Sequence, residues 1–234
     1  YLIATASQLA KLAYETRINK KYYSGTHFKL TDNIDLGAYS WTPIGTADYK
    51  GNQLIVEPTF QGVFDGNNHY ISNMNVAVSK GRDWEFLGLF GYISGDGMSH
   101  TVEIKNLAVI NANVTNGSIQ DENSGILGGF VYDVNISNAF TEGVTTGGGL
   151  VGSLRGSVAT NCYSLVSSTN GAFVVDNLGS HITNCFSASD DCGFCLLQDL
   201  KNSAVINSFA TTISGISMEN PGSVSYTHLT LPTT

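Results

Sequence analysis

The four histidines that precede residue 224 are too widely spaced to form a helical zinc motif. They are His27, His69, His100 and His181, and even the nearest two, His69 and His100, lie many helical turns apart in the sequence. A His-Glu-x-x-His site needs two histidines one helical turn apart, so that both reach one metal ion. The sequence therefore predicts no metal site, and no cofactor is expected.

The carboxylates offer one candidate for sugar-cleaving chemistry. An inverting hydrolase needs two carboxyl groups about 6.5–9.5 Å apart, with a water between them. The segment Asp190-Asp191-Cys192-Gly193 resembles one polygalacturonase motif, but the Gly-His-Gly and Arg-x-Lys motifs that accompany it are absent downstream. An acidic loop on a solvated corner is the favoured interpretation.

A polysaccharide lyase would need a strong base, and the chain has few. Such an enzyme uses Arg or Lys beside carboxylates that hold a cation, yet only Arg155 and Lys201 follow Lys105. Asp65 and His69, within the segment FDGNNH, are predicted to shape a turn and not to act as a base. We therefore predict no catalytic residues and keep a carbohydrate-active enzyme, hydrolase or lyase, as the alternative.

The four cysteines form two pairs in the sequence. Cys162 and Cys185 occupy the same position in the segments NCYS and NCFS, and stacking of these equivalent segments would bring their Cα atoms to about 4.8 Å, within the range of a disulfide. Parallel Cβ vectors would strain that bond, and a buried cysteine packs as a small hydrophobic residue. Cys192 and Cys195 form one CxxC without the second that a zinc ribbon needs. Free core thiols are predicted in preference to a bridge or a metal.

A short pattern recurs along the chain: an aliphatic residue, a polar residue, Asn, a small or apolar residue, and often an aromatic one. The last four of its asparagines are evenly spaced, because the step from 138 to 161 equals the steps from 161 to 184 and from 184 to 207. Three equal steps indicate a true repeat. The alternative is that Asn is merely common in turns. The six asparagines are Asn73, Asn106, Asn138, Asn161, Asn184 and Asn207.

Each repeat contains short β segments separated by Gly, Ser, Asn and Thr turns, and none has the apolar period of a helix. Gly149-Leu150-Val151-Gly152 is a clear example. A unit of about 20 residues cannot bury its own apolar face and must stack on its neighbours. We therefore predict an all-β right-handed parallel β-helix, a solenoid in which the asparagines form a ladder of amide hydrogen bonds.

An aromatic column directly follows a column of small residues, and strand alternation places adjacent columns on opposite faces. If the small residues point inward, the aromatic residues form an exposed ladder that could stack on sugar rings or bind a partner. If the corner shifts the phase, they pack in the core. Both hypotheses stay open at this point. The aromatic residues are Phe140, Tyr163, Phe186 and Phe209, which follow Ala139, Cys162, Cys185 and Ser208.

The first part of the chain differs from the repeats. Thr5-Ala6-Ser7-Gln8 is a capping box, and Leu9, Leu12 and Ala13 make an apolar stripe, which together predict a helix at about residues 5–16. The end of a solenoid needs an atypical unit to cover its core. We predict a cap at residues 1–40 and β-helix units at residues 41–223.

Charge and chain ends limit the functional classes. The chain has 234 residues and a net charge of −8, which argues against nucleic-acid binding. No apolar run approaches the roughly 18 residues of a membrane helix. Because Tyr1 is not an initiator methionine, a start, with or without a signal peptide, is expected to lie upstream or to have been removed. Residues 224–234 (VSYTHLTLPTT) look like a translated sequencing adaptor, so we predict a non-native tail on a metagenomic fragment cut near Ser223.

Several segments together resemble the GLUG-repeat proteins of large exported bacterial polypeptides. They are TASQLAKLA, Leu30 to Gly45 (LTDNIDLGAYSWTPIG), Phe60 to Val76 (FQGVFDGNNHYISNMNV), Gly88 to Gly95 (GLFGYISG), NCYS and NCFS. The likeness covers nearly all of residues 1–215. It implies a parallel β-helix that serves as a stalk, adhesin or passenger scaffold at the cell surface, and it brings no catalytic residues.

These observations lead to one functional prediction. The chain is expected to be a non-catalytic module, a stalk or adhesin, of a large exported bacterial protein, located outside the cell or on its surface. A glycan or a host or cell-surface protein is the expected partner. The fragment is expected to be a monomeric segment of a longer protein.

Overall fold

The protein consists mostly of β strands in parallel sheets, with one short helix. A computed structural model describes residues 1–38, 40–46, 48–50, 53–55, 58–76, 86–97, 100–115, 123–168, 170–189, 197–201, 203–212 and 224–225. The prediction of an all-β protein is confirmed at this level.

Two parallel sheets contain almost all of the strands. The larger sheet has sixteen strands in the described ranges, namely β1 (Leu2–Ile3), β2 (His27–Leu30), β3 (Ile34–Asp35), β4 (Ser40–Trp41), β7 (Val63–Asp65), β8 (Tyr70–Ser72), β9 (Asn75–Val76), β11 (Glu103–Val114), β13 (Asn135–Thr145), β15 (Val158–Thr160), β16 (Tyr163–Ser168), β18 (His181–Thr183), β19 (Phe186–Ser189), β21 (Ala204–Ile206), β22 (Phe209–Thr212) and β23 (Val224–Ser225). The smaller sheet contains β10 (Phe90–Ser94), β12 (Gly128–Tyr132), β14 (Val151–Arg155), β17 (Val174–Leu178) and β20 (Leu197–Lys201). An antiparallel hairpin joins β5 (Asp48–Lys50) to β6 (Gln53–Ile55).

Strands of successive repeats pair in parallel and in register. In the larger sheet Ile136 pairs with Ala159, and Ala159 pairs with Ile182. In the smaller sheet Val131 pairs with Leu154. Each of these pairings advances along the chain by the same step that separates Asn138 from Asn161 in the sequence. The repeats that contain Ala159 and Ile182 each give one strand to the smaller sheet and two to the larger one, whereas the repeat that contains Ile136 gives the larger sheet one long strand, β13.

The helix α1 (Ala6–Arg17) lies where the capping box predicts it. The Thr5 hydroxyl accepts a hydrogen bond from the Gln8 backbone N–H (3.3 Å), and the Gln8 side chain accepts one from the Ala4 N–H (2.7 Å). Leu9 and Leu12 are buried in the same cluster as the strand residues. Strands β2 and β3 join the larger sheet through β7 and β8, so hydrogen bonding is continuous across the cap boundary predicted at residue 40.

One buried cluster extends through successive repeats, and its side chains change in size along the chain. Near the N-terminal end it contains aromatic rings, and the ring centroid of Phe90 lies 5.2 Å from that of Phe60 and 5.4 Å from that of Phe64. Later repeats combine small buried residues, such as Ala159 and Cys162, with one buried ring, Phe173. Buried rings contact one another near the N-terminal end, where removal of one ring would affect its neighbours as well.

Strand β23 contains the first two residues of the segment predicted to be non-native. Its residues Val224 and Ser225 pair with Val205 and Ile206 of β21. Residues 226–234 lie outside the described part of the chain. The assignment of this tail to an adaptor stays a prediction.

Candidate functional site

Four of the predicted asparagines lie one above another at a corner of the larger sheet. The Asn138 amide donates to Oδ1 of Asn106 (3.0 Å), and the Asn161 amide donates to Oδ1 of Asn138 (3.3 Å). Asn184 donates to Asn161 in the same way (3.3 Å). These four residues have φ angles of 52–54°, and Asn207 has a φ angle of 48° at the next corner. Asparagine suits this position because it tolerates the left-handed backbone and also donates along the sheet axis.

We call a column of side-chain amides joined by hydrogen bonds an amide file. Asn106, Asn138, Asn161 and Asn184 form the first file, and Asn73 belongs to a second one. Its Oδ1 accepts from the Asn111 amide (2.5 Å), and its own amide donates to Oδ1 of Asp35 (2.9 Å). The structure therefore separates Asn73 from the file to which the sequence pattern assigns it. The physical reason is that β11 passes through two left-handed corners, at Asn106 and Asn111, and the local pattern does not say which of them Asn73 matches.

Each amide file ends at an aspartate on its N-terminal side. Asp65 accepts from the Asn106 amide (3.0 Å), as Asp35 does from Asn73. The hydrogen bond from Asn73 and a second from the Gly37 N–H lower the pKa of Asp35 below its ordinary value. Because every amide in a file donates towards the N-terminal end, the last position needs an acceptor, and an ionised carboxylate accepts without needing to donate.

The segment FDGNNH forms the turn that its sequence predicts. Oδ1 of Asp65 accepts from the backbone N–H of Asn67 (2.8 Å), and both Asn67 and Asn68 have positive φ angles. Nδ1 of His69 lies 3.1 Å from Oδ1 of Asn33. These contacts position the turn against the preceding repeat.

Phe140, Tyr163 and Phe186 lie side by side on the outer face of the larger sheet. Phe140 pairs with Tyr163, and Tyr163 pairs with Phe186. Tyr163 is 49% exposed and the two phenylalanines are half-buried, whereas the small residues that precede them are buried. The structure therefore agrees with the hypothesis that these aromatic side chains point outward and disagrees with the hypothesis that they pack in the core. The Phe209 backbone continues it by pairing with Phe186, and the Phe209 side chain lies outside the described part.

Mostly uncharged side chains flank the aromatic column. The exposed asparagines of the file at 138, 161 and 184 come two residues before the aromatic residues. Glu142, Leu165 and Ala188 come two residues after them and pair with one another in register. Leu165 is 42% exposed, and Glu142 is the one charged side chain among these nine described positions. The face is therefore broad, weakly charged and partly apolar.

Cys162 and Cys185 are free, buried thiols in one column. Sγ of Cys185 accepts from the Cys162 backbone N–H (3.4 Å) and donates to the Thr183 carbonyl (3.3 Å). The Ser208 hydroxyl does the same one repeat later, accepting from the Cys185 N–H (3.0 Å) and donating to the Ile206 carbonyl (2.9 Å). The hydrogen bond with Cys185, together with burial, raises the pKa of the Cys162 thiol well above its usual value. These thiols therefore bridge backbone groups at the corner.

We expect Cys185→Ser to keep the free energy of unfolding within about 1 kcal/mol of the parent chain, because a hydroxyl can make both bridging hydrogen bonds. Cys185→Ala would leave the buried Cys162 N–H without its acceptor, at a cost of about 1–3 kcal/mol. Urea unfolding of both variants, followed by circular dichroism, checks the difference. If serine proves as costly as alanine, the thiol acts through packing and not through its hydrogen bonds.

A serine, an aspartate and a histidine meet near the N-terminal end, although sequence reasoning does not single them out. The Ser24 hydroxyl donates to Oδ2 of Asp96 (2.5 Å), and Nδ1 of His100 lies 2.6 Å from the same oxygen. In a catalytic triad the histidine contacts the carboxylate through Nδ1 and the serine through Nε2. Here the serine lies nearest to Nδ1, at 3.4 Å, and it donates to the carboxylate. This cluster therefore joins two loops and lacks the geometry of a triad.

A second polar cluster lies on the outer face of the smaller sheet. Nη2 and Nε of Arg155 lie 2.6 and 3.1 Å from Oδ2 of Asp176. The guanidinium group also lies over the Phe130 ring, 5.0 Å from its centroid, and that ring stacks on Tyr92 at 4.8 Å. Alignment of the repeats could have suggested this pair, since Asp176 pairs with Ser153, two residues before the arginine.

Two predicted features lie outside the described residues: the acidic segment Asp190-Asp191 and the CxxC of Cys192 and Cys195. Within the described ranges, no group of three or more His, Cys, Asp and Glu side chains is placed to hold a metal ion. The same ranges contain no helix with the length and apolar character that crossing a bilayer requires.

Comparison with known proteins identifies a sequence relative and a similar solved structure. Halomucin from Haloquadratum walsbyi is 31% identical over 144 residues, which are 60% of this chain but 1% of halomucin. The chain thus spans a very small part of that relative. No protein-family model matches the chain, so the likeness to GLUG-repeat proteins rests on the motifs alone.

The similar structure is that of a candidate immunoglobulin A1 protease from Bacteroides ovatus. The match has a TM-score of 0.53 and covers 96% of this chain and 80% of the other, at 16% identity. At this level of identity the likeness shows the fold alone. A solved structure thus has a similar parallel β architecture, and the match assigns no activity to this chain.

Proposed function

We propose that the chain is a right-handed parallel β-helix that serves as a non-catalytic stalk or adhesin-type module of a large exported bacterial protein. The observation that carries this proposal is the equal register from β12 and β13 onward, where both sheets advance by the same step from one repeat to the next around one buried cluster. In such a structure each repeat contacts only its neighbours, so length is gained by adding repeats. A stalk needs this property.

The engagement of the carboxylates supports a non-catalytic role. Asp35 and Asp65 accept the last amides of the two files, and Asp176 pairs with Arg155. The Asp96 carboxylate is 3% exposed and is held by Ser24 and a histidine. A carboxylate engaged in this way positions the fold, whereas an acid or base must face a substrate.

The match to halomucin supports a place in a long extracellular polypeptide. The matched 144 residues are only 1% of halomucin, so the matching segment lies within a very large protein. Its name is that of a mucin-type protein, which favours an extracellular location for the present chain too.

The alternative is a carbohydrate-active β-helix, and one assay separates the two. The purified chain is incubated with polygalacturonate and other acidic polysaccharides, and the release of reducing sugar is measured. We expect no release above that of a heat-denatured sample. Release that rises with protein concentration and disappears on denaturation would overturn the non-catalytic proposal.

A further inference from the structure

We propose that one outer face of the larger sheet binds an extended, uncharged, β-1,4-linked polysaccharide, with about one sugar unit per strand. This face, the amide–aromatic strip, consists of Asn138, Asn161 and Asn184 together with Phe140, Tyr163 and Phe186. The inference rests on the proposed function, because a surface module presents this face to its surroundings.

The spacing of the aromatic residues fits an extended chain of sugars. Phe140, Tyr163 and Phe186 occupy the same register position in consecutive strands, which lie about 4.8 Å apart. A β-1,4-linked pyranose chain is straight and advances by a similar length per sugar unit. Successive sugars can therefore place their apolar C–H faces on successive aromatic residues. A chain that coils, as α-1,4-linked glucans do, would leave the column after one contact.

The asparagine file supplies hydrogen-bonding groups beside the rings. Asn138 and Asn161 each use one N–H and one lone pair of the oxygen along the axis, and Asn184 uses one N–H. A side-chain amide has two N–H donors and two lone pairs, so one of each is left over. Asn138, Asn161 and Asn184 are exposed two residues before the aromatic residues, so the remaining groups are accessible to hydroxyls at the edge of a stacked sugar.

Charge selects a neutral polymer over an acidic one. Glu142 is the one charged side chain among the nine described positions of the strip and its flanking column, and the whole chain has a net charge of −8. An acidic polysaccharide would meet repulsion here, and none of these nine described positions carries a basic side chain to offset it. The exposed Leu165 widens the apolar area available to the sugar faces.

The test is calorimetric titration of the full 234-residue chain with cello-oligosaccharides and chito-oligosaccharides of increasing length. Affinity is expected to rise up to about three units, the number of aromatic residues in the strip, and then to level off. Tyr163→Ser, at the middle of the strip, is expected to weaken binding about tenfold. Tyr163→Phe keeps the ring and is expected to bind like the parent.

The matched control is Tyr132→Ser. Tyr132 is 52% exposed, much like Tyr163, but it lies on the smaller sheet. We expect this variant to retain parental affinity, and both serine variants to retain the parental melting temperature. Malto-oligosaccharides test the need for a straight chain and oligogalacturonates test the effect of charge, and neither is expected to bind.

Three results would overturn the inference: no binding of either neutral β-1,4-linked series, equal loss of affinity in the two serine variants, or stronger binding of oligogalacturonates. None of them affects the proposed non-catalytic role, which fails only if reducing sugar is released. The two ideas therefore fail by different measurements.

Discussion

Phe90→Ala is expected to lower the free energy of unfolding by about 3–5 kcal/mol, the range for loss of a fully buried aromatic ring. The Phe90 side chain has no exposed surface and contacts the rings of Phe60 and Phe64. Alanine would leave a cavity between the two sheets that rigid, hydrogen-bonded strands cannot close. The measurement is the shift of the urea midpoint, with the slope of the transition checked for a change.

Phe130→Ala serves as the matched control for this experiment. Phe130 is half-buried on the outer face of the smaller sheet, where it contacts Tyr92 and Arg155. Its removal opens no interior cavity, so we expect a loss of about 1–2 kcal/mol. Equal losses in the two variants would contradict the view that the sheets enclose a close-packed interior at Phe90.

Asn161→Ala is expected to have the second largest effect, about 2–4 kcal/mol. The substitution removes the axial hydrogen bonds to Asn138 and from Asn184. It also forces alanine to adopt a φ angle of 54°, which is unfavourable for a residue with a Cβ atom and no polar side chain. Asn161→Gly removes only the hydrogen bonds and should cost about 1–2 kcal/mol. Thermal and urea unfolding of both variants measures the two contributions separately.

Asn135→Ala is the control for the asparagine experiment. Asn135 is exposed and lies in the same sheet, but its φ angle is not in the left-handed region. We expect its replacement to change stability by less than about 0.5 kcal/mol. If Asn161→Gly costs no more than this control, the axial hydrogen bonds contribute nothing. If glycine and alanine are equally costly at 161, the backbone conformation does not matter.

The regular part of the fold could be predicted because its repeats are equal in length. Equal steps between Asn138, Asn161 and Asn184 require equal strand pairing, and the observed register advances by the same step. Prediction failed where the spacing is unequal. Asn73 has the same local pattern as Asn106 but lies at another corner, and only the pairing of β8 with the second half of β11 distinguishes the two.

The candidate site could be predicted only in part. Strand alternation gave two orientations for the aromatic column, and the left-handed corner at Asn138 decides between them by placing Ala139 inside and Phe140 outside. The cluster of Ser24, Asp96 and His100 had no such signal, because 72 residues separate the first two and neither lies in a periodic segment. Contacts between loops that are far apart in the sequence produce no periodic pattern of residues from which they could be predicted.

The amide files have a direction, and this direction matches the order in which the chain is made. Every donor lies later in the sequence than its acceptor: Asn106 donates to Asp65, Asn138 to Asn106 and Asn161 to Asn138. Because a polypeptide is synthesised from its N-terminus, each acceptor oxygen is made before the N–H group that donates to it. Every finished repeat is a template for the next one, and a growing module can close its contacts without waiting for residues still to come.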